Sequence, residues 1–162
     1  MSFVFISAVS LTSCVEKSSH SQLEGQTAPD FTLPLVSDSH SQVTLSEWTK
    51  NQPVLLNFWA TWCPVCVEEM PDLNDLAEKY KDQGLKVLAV NIQESSGEVK
   101  TFMKRNVLNF PVVLDAEGEV AEKYGIVALP VSILVAKGGK IIYYGFSLPN
   151  RINDLLKEGV NA

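Results

Sequence analysis

The chain has 162 residues, 46% of them hydrophobic and 20% charged, enough for one compact domain with its own core and too few for two full-sized ones. Its net charge of −6, with no Lys/Arg-rich block, argues against a nucleic-acid partner. Its three cysteines are fewer than a disulfide-stapled secreted scaffold carries, and Cys63 and Cys66 lie so close that joining them closes only a tiny loop. That pair is better explained by chemistry than by stapling.

The first stretch, MSFVFISAVSLTSC, carries no charge and is dominated by apolar and small residues. It is too short to span a bilayer, which takes about 20 residues, and reads as the apolar part of a secretory signal. Its end, Leu11-Thr12-Ser13-Cys14, resembles the bacterial lipobox, although no Lys or Arg precedes the apolar run. Residues 1–14 are therefore expected to be a lipoprotein-type signal ending at Cys14, the lipidated residue. The competing reading is a disordered or buried N-terminal tail with an incidental cysteine. Residues 15–27 are polar and Ser-rich, as in a flexible tether, and 28–162 are expected to form the folded domain.

Within that domain, DFTLPLV and QVTLSEW alternate apolar and polar residues around SDSHS, the pattern of a hairpin. Ser46 is a candidate N-cap for a short helical turn through Trp48. PVLLNFWA is a continuous apolar run of strand length, as in a strand covered on both faces. Apolar residues at Val65, Met70, Leu73, Leu76, Ala77 and Tyr80 predict a helix over 64–82, kinked at Pro71 and closed by Gly84. LKVLAVNI is a second buried strand. Ser95 or Ser96 caps a helix to about Asn106, FPVVLD is a third strand, and GEVAEKYG is a short helix closed by Gly125. VSILVAKGGKIIYYGF is a hairpin around Lys137-Gly138-Gly139, and NRINDLLKEGV a final amphipathic helix. The alternation predicts an α/β fold, a mixed sheet with helices on its faces.

In WCPVC, Cys63 falls at a strand-to-helix junction, where free N–H groups and the helix dipole favour a thiolate and depress its pKa. Cys66, one turn on, is suited to resolving a mixed disulfide. Pro64 is tolerated at the first helical position. Half of a zinc site is the alternative reading of C-x-x-C, but zinc takes four ligands and only Cys14, His20 and His40 remain, all in tether or hairpin segments. No metal and no cofactor is expected.

VLLNFWATWCPVCVEEMP resembles the thioredoxin fold, specifically its exported TlpA/ResA-type branch, and the likeness continues through VLAVNIQES, FPVVLD and YGIVALPVSILVAKGGKII, over roughly residues 25–160. The resemblance implies a thioredoxin-like central mixed sheet flanked by helices, with an N-terminal β-hairpin and an inserted helix-strand element. It implies a redox-active disulfide between an attacking Cys63 and a resolving Cys66. Trp62 matches the family's tryptophan beside the dithiol, and Leu129 with Pro130 its substrate-binding cis-proline step. Locally, Pro130 reads equally as a strand-entry proline. Glu69 and Pro71 complete C-x-x-C-x-x-E-x-P, although Glu69 also reads as a solvent-facing helix residue. Asn57 stands where thioredoxin has a buried Asp that moves the resolving cysteine's proton. The branch has a glutamate at the end of the next strand, matched by Glu94, which is expected to lie near Cys66, partly desolvated, and to shuttle that proton. The alternative is a surface glutamate just before a helix.

GQTAPDFTLPL also opens many peroxiredoxins, but their Pro-x-x-x-Thr-x-x-Cys frame meets Trp59 and Cys63 ahead of Cys66, and Leu56 and Ala60 ahead of Cys63. A Sco-type copper chaperone has three residues between its cysteines and a downstream histidine; this chain has two between them and no histidine after His40. No histidine stands inside the motif, unlike in strongly oxidising relatives, which points to a reductant. The resemblance then implies a monomer outside the cytoplasm, in the periplasm or on the outer face of the cell membrane, held by lipid at Cys14. Its partners would be disulfide-containing exported clients, such as apocytochrome c during cytochrome c maturation, and a membrane thiol-disulfide transporter as electron donor. An oxidant or a copper-stress protein of the same fold is the alternative.

Overall fold

The computed structural model describes residues 23–160, with side chains through Lys157. The expected signal 1–14, the lipidation site Cys14, His20 and the tether as far as residue 22 lie outside the described residues. In chain order the elements are β1 (Thr32–Pro34), β2 (Gln42–Thr44), α1 (Leu45–Thr49), β3 (Val54–Trp59), α2 (Pro64–Lys81) and β4 (Lys86–Ile92). They continue as α3 (Ser96–Arg105), β5 (Val112–Asp115), α4 (Glu119–Lys123), β6 (Val131–Val135), β7 (Ile141–Gly145) and α5 (Ile152–Val160). β1 and β2 form the expected N-terminal hairpin, and the other strands one sheet in the order β5-β4-β3-β6-β7. β3 runs parallel to β4 and antiparallel to β6, so the sheet is mixed, and α3 with β5 is the inserted helix-strand element.

β3 is the centre because its six residues, VLLNFW, are all buried. Side chains alternate across the strand. Val54, Leu56 and Phe58 enter one core half with Phe31, Leu45 and Tyr124, under the hairpin, α1 and α4. Leu55 and Trp59 enter the other with Met70, Leu73 and Tyr80 of α2, Val99 of α3 and Ile152 of α5. One polar residue, Asn57, interrupts this second face, and it does so directly beneath α2.

Both sheet edges are covered. Leu35 bridges Val113, and the Val36 amide donates to the Val112 carbonyl at 2.9 Å, along β5. Along β7, the Gly25 amide donates to the Ile141 carbonyl and the Ile141 amide to the Gln26 carbonyl, both at 2.8 Å. Glu24 Oε1 accepts from the Tyr144 amide at 2.9 Å. The last tether residues therefore lie on the domain and blunt an edge that would otherwise template another chain.

The helix starts show where local reading holds and where it fails. α3 has a full capping box: Ser95 Oγ accepts from the Glu98 amide at 3.3 Å, and Glu98 Oε2 accepts from the Ser95 amide at 2.8 Å. α1 does not begin at Ser46. Its N-cap is Thr44, without a side-chain cap, and the Ser46 amide donates to Asp30 Oδ1 at 2.9 Å. β2 runs straight into this helix, and a distant aspartate takes over the capping. α2 is continuous through Pro71, and Gly84, at φ 84°, follows its end. Among the described residues no helix is long and apolar enough to cross a membrane.

α4 leads into the Leu129–Pro130 segment, and a buried side chain from β5 secures it. Asp115 Oδ1 accepts from the Val120 amide at 3.2 Å and Oδ2 from the Ala121 amide at 2.8 Å. Asp115→Ala strips both acceptors from amides with no other nearby cap. Urea denaturation is expected to show a loss of about 1–3 kcal/mol; an unchanged midpoint would mean that other groups satisfy α4.

Candidate dithiol site

The strand that forms the centre of the sheet ends at Trp59, and the turn Ala60-Thr61-Trp62 delivers Cys63 to the N-cap of α2. Cys63 has extended backbone angles, φ −92° and ψ 103°, and its Sγ accepts from the Cys66 amide at 3.2 Å. The sulfur of Cys63 thus occupies the place of a capping oxygen, at the positive end of the helix dipole. A thiolate there gains from both the amide and the dipole. Cys63 and Cys66 are joined as a disulfide, with Cα atoms 5.3 Å apart. Both are buried, Cys63 at 5% exposed and Cys66 at 2%.

Around the pair the surface is apolar and accessible: Trp62 is 65% exposed and Val65 59%. Exposed apolar surface next to a reactive pair is the kind of place where another chain docks. Pro130 lies one step beyond the last β3–β6 pair, Phe58 with Val131, and the Leu129–Pro130 bond is cis. Leu129, half-buried, packs against the core half that contains both cysteines. The sheet thus brings Trp62, Cys63, Leu129 and Pro130 to one end.

Glu94 is buried, and three donors converge on its carboxylate: the Thr61 amide at 2.7 Å, the Thr61 hydroxyl, and Asn91 Nδ2 at 2.7 Å. The chain reaches this geometry through Gln93, which adopts φ 54°, a left-handed conformation unusual for a residue with a side chain. That turn at the end of β4 sends Glu94 back toward the strand ends. The hydrogen bonds tie Glu94 to the turn that carries Cys63, so the surface-glutamate alternative does not hold. The sequence carried no sign of the Thr61 and Asn91 contacts, because no glycine marks the left-handed step.

A second carboxylate belongs to the same region. Glu69 stands three residues after Cys66, one turn along the same helix face. It is half-buried rather than solvent-facing: Oε2 accepts from Asn57 Nδ2 at 3.3 Å and Oε1 from the Leu148 amide at 3.2 Å. Asn57 Nδ2 also donates to Ser132 Oγ at 3.1 Å. Burial pushes the Glu69 carboxyl above its ordinary range, and the charge of Asp72 adds to this, against the lowering effect of the Leu148 and Asn57 hydrogen bonds. The non-titrating Asn57 is thus paired with a carboxylate supplied from α2. The signal for it was the C-x-x-C-x-x-E spacing itself. Among the described residues there is no group of three or more His, Cys, Asp or Glu side chains able to hold a metal ion.

The family model for Redoxin matches residues 23–154. The thiol-disulfide oxidoreductase ResA of Bacillus thuringiensis subsp. konkukian is 41% identical over 118 residues, which cover 73% of this chain and 66% of that protein. The chain thus spans just under two thirds of the length of that relative. Among solved structures, a Chlorobium tepidum protein assigned as the thiol:disulfide interchange protein DsbE superposes with a TM-score of 0.71 at 31% identity, covering 85% of this chain and 95% of its own. The exposed lipoprotein thioredoxin of Streptococcus pneumoniae gives a TM-score of 0.68, also at 31% identity, covering 80% of this chain and 99% of its own.

The raised Glu69 carboxyl has a consequence for stability. The folded state holds this proton more tightly than the unfolded chain does. Its contribution is therefore greatest at low pH and declines as pH rises from the ordinary glutamate range through the raised value of Glu69, then levels off. Glu69→Gln is expected to flatten that part of the profile in urea denaturation from about pH 4 to pH 8. A variant whose stability falls with pH as steeply as the parent would clear Glu69 of the effect.

Proposed function

We propose, from the premise that the chain belongs to the redoxin family, that it is an extracytoplasmic thiol-disulfide oxidoreductase whose working state reduces disulfides in exported proteins. One observation carries the reading: a Cys63–Cys66 disulfide at the head of α2, with the Cys63 sulfur hydrogen-bonded by the Cys66 amide at 3.2 Å. The names of its relatives, ResA thiol-disulfide oxidoreductases among them, support the same chemistry.

In the reduced protein, the Cys63 thiolate attacks one sulfur of a client disulfide. The client S–S bond breaks, a Cys63–client mixed disulfide forms, and the second client sulfur leaves as a thiolate that takes a proton from solvent. Cys66 then loses its proton and attacks the Cys63 sulfur. The mixed disulfide breaks, the client leaves as a dithiol, and the Cys63–Cys66 disulfide remains, two electrons poorer. An external dithiol, such as that of a membrane thiol-disulfide transporter, restores the starting state. In this scheme Trp62, Leu129 and Pro130 hold the client segment, and Glu94 assists the Cys66 proton step. Glu69, one turn from Cys66 with a raised carboxyl, is a second candidate for that proton.

The location rests on the apolar leader ending at Cys14, with lipid on that cysteine as the anchor, and it agrees with the exposed lipoprotein from Streptococcus pneumoniae. Apocytochrome c is one client class with a suitable vicinal cysteine pair. Direction follows from the reduction potential, where 30 mV corresponds to about 1.4 kcal/mol.

Cys66→Ser is expected to accumulate mixed disulfides on Cys63 in envelope extracts, resolved by non-reducing electrophoresis and identified by mass spectrometry, while Cys63→Ser accumulates none. Recovery of no client from the Cys66→Ser strain would sink the reductase reading. A measured potential near −120 mV, roughly that of a strong oxidant, would reverse the direction. Glu94→Gln should change the pH dependence of client reduction, and an unchanged profile removes Glu94 from the proton step.

A further inference from the structure

Two fully buried polar atoms near the dithiol end of the sheet have no hydrogen-bond partner within the described protein: Nε1 of Trp59 and Oδ1 of Asn91. The residues that carry them are neighbours. Trp59 on β3 and Asn91 on β4 are paired in register, and directly paired residues of adjacent strands project from the same face. One atom is purely a donor and the other purely an acceptor. Both lie on the face covered by α2 and α3, where the Trp59 ring packs on Phe102 at 5.1 Å between centroids.

Turning the Asn91 amide over does not help. Its Nδ2 donates to Glu94 Oε2 at 2.7 Å, and a flip would set the amide oxygen against a carboxylate oxygen. The orientation of Asn91 is therefore set by Glu94, and its oxygen is left seeking a donor. Buried polar atoms are almost always satisfied, by protein or by ordered water. A buried donor and a buried acceptor on paired residues are the two partners one bridging water needs.

We propose that Trp59 Nε1 and Asn91 Oδ1 are bridged by one ordered water, and that Asn91, fixed by it, is a positioning residue for the dithiol. The water accepts from the indole N–H and donates to Asn91 Oδ1. Asn91 Nδ2 then holds Glu94 Oε2, which also accepts from the Thr61 amide at 2.7 Å. Thr61 opens the turn to Trp62 and Cys63. The chain of contacts thus runs from the centre of the sheet to the loop that aims the Cys63 sulfur at the Cys66 amide, 3.2 Å away. Breaking it loosens that alignment and weakens the support of a Cys63 thiolate. This inference deepens the oxidoreductase reading and rests on Cys63 being the attacking thiol.

The experiment reads the thiol directly, so its failure is separate from any failure to find a client. In the reduced full chain, the pH profile of Cys63 alkylation by iodoacetamide is measured for the parent, Asn91→Leu, Glu94→Gln and the double variant. Asn91→Leu is expected to raise the midpoint by at least about half a pH unit. Added to Glu94→Gln, it is expected to move the midpoint no further, because Asn91 acts through Glu94. Should Asn91→Leu fail to fold, Asn91→Ser serves, since it still accepts a hydrogen bond but is too short to reach Glu94. An unmoved midpoint, or equal shifts in both backgrounds, overturns the positioning role. For the water, the Trp59 indole N–H signal, assigned by removing the other two with Trp48→Phe and Trp62→Phe, is expected to show a cross-relaxation peak to a long-lived water. No such peak overturns the bridge.

Discussion

β3 is buried along its whole length on both faces and hydrogen-bonded on both edges, so it meets solvent only where it ends. That constraint organises the molecule. The end of the strand is the one place where a side chain can be held rigidly by the core and still be reached from outside. The chain uses it for Cys63, and turns at once into α2, where the Cys66 amide donates to the sulfur. The rigidity of the support and the electrostatic character of the site come from the same junction of strand and helix.

The polar groups beneath the dithiol follow from the same geometry. A strand buried on both faces leaves its polar residues to find partners within the protein, and Asn57 does so with Ser132 on β6 and Glu69 on α2. Asn91, one strand over, does so with Glu94. The two carboxylates therefore end in different surroundings. Glu94 gathers donors from a turn and a strand, whereas Glu69 shares one amide with Asn57 and one with Leu148, and its burial raises its carboxyl. One carboxylate is tied to the loop carrying Cys63. The other stands one helical turn beyond Cys66.

The covered edges belong to the same design. Residues 24–27 lie along β7 and residues 35–36 along β5, so the sheet offers no long free edge at its sides. Exposed apolar side chains near the dithiol, Trp62 and Val65, are then the parts of this end most suited to contact another protein.

Much of this was legible from residue order. The apolar run of β3, the 3.6-residue pattern of α2, the glycines of the β6–β7 turn and the Cys63–Cys66 spacing are local signals, each decided by residues a few positions apart. Their order sufficed for the mixed sheet, the N-terminal hairpin and the inserted helix and strand. Local reading missed where the deciding partner was remote. Ser46 lost its capping role because Asp30 answers its amide. Glu69 became half-buried because Asn57, twelve residues back, and Leu148, seventy-nine residues on, close over it. Asn91 gained its place because β4 pairs with β3 in the register that sets it beside Trp59. The sequence by itself determined which two sulfurs meet, since the spacing of two thiols at a helix start is a local matter. Only the tertiary structure decided which carboxylates and amides surround them, because desolvation and hydrogen bonding depend on neighbours that the fold, not the chain order, brings together.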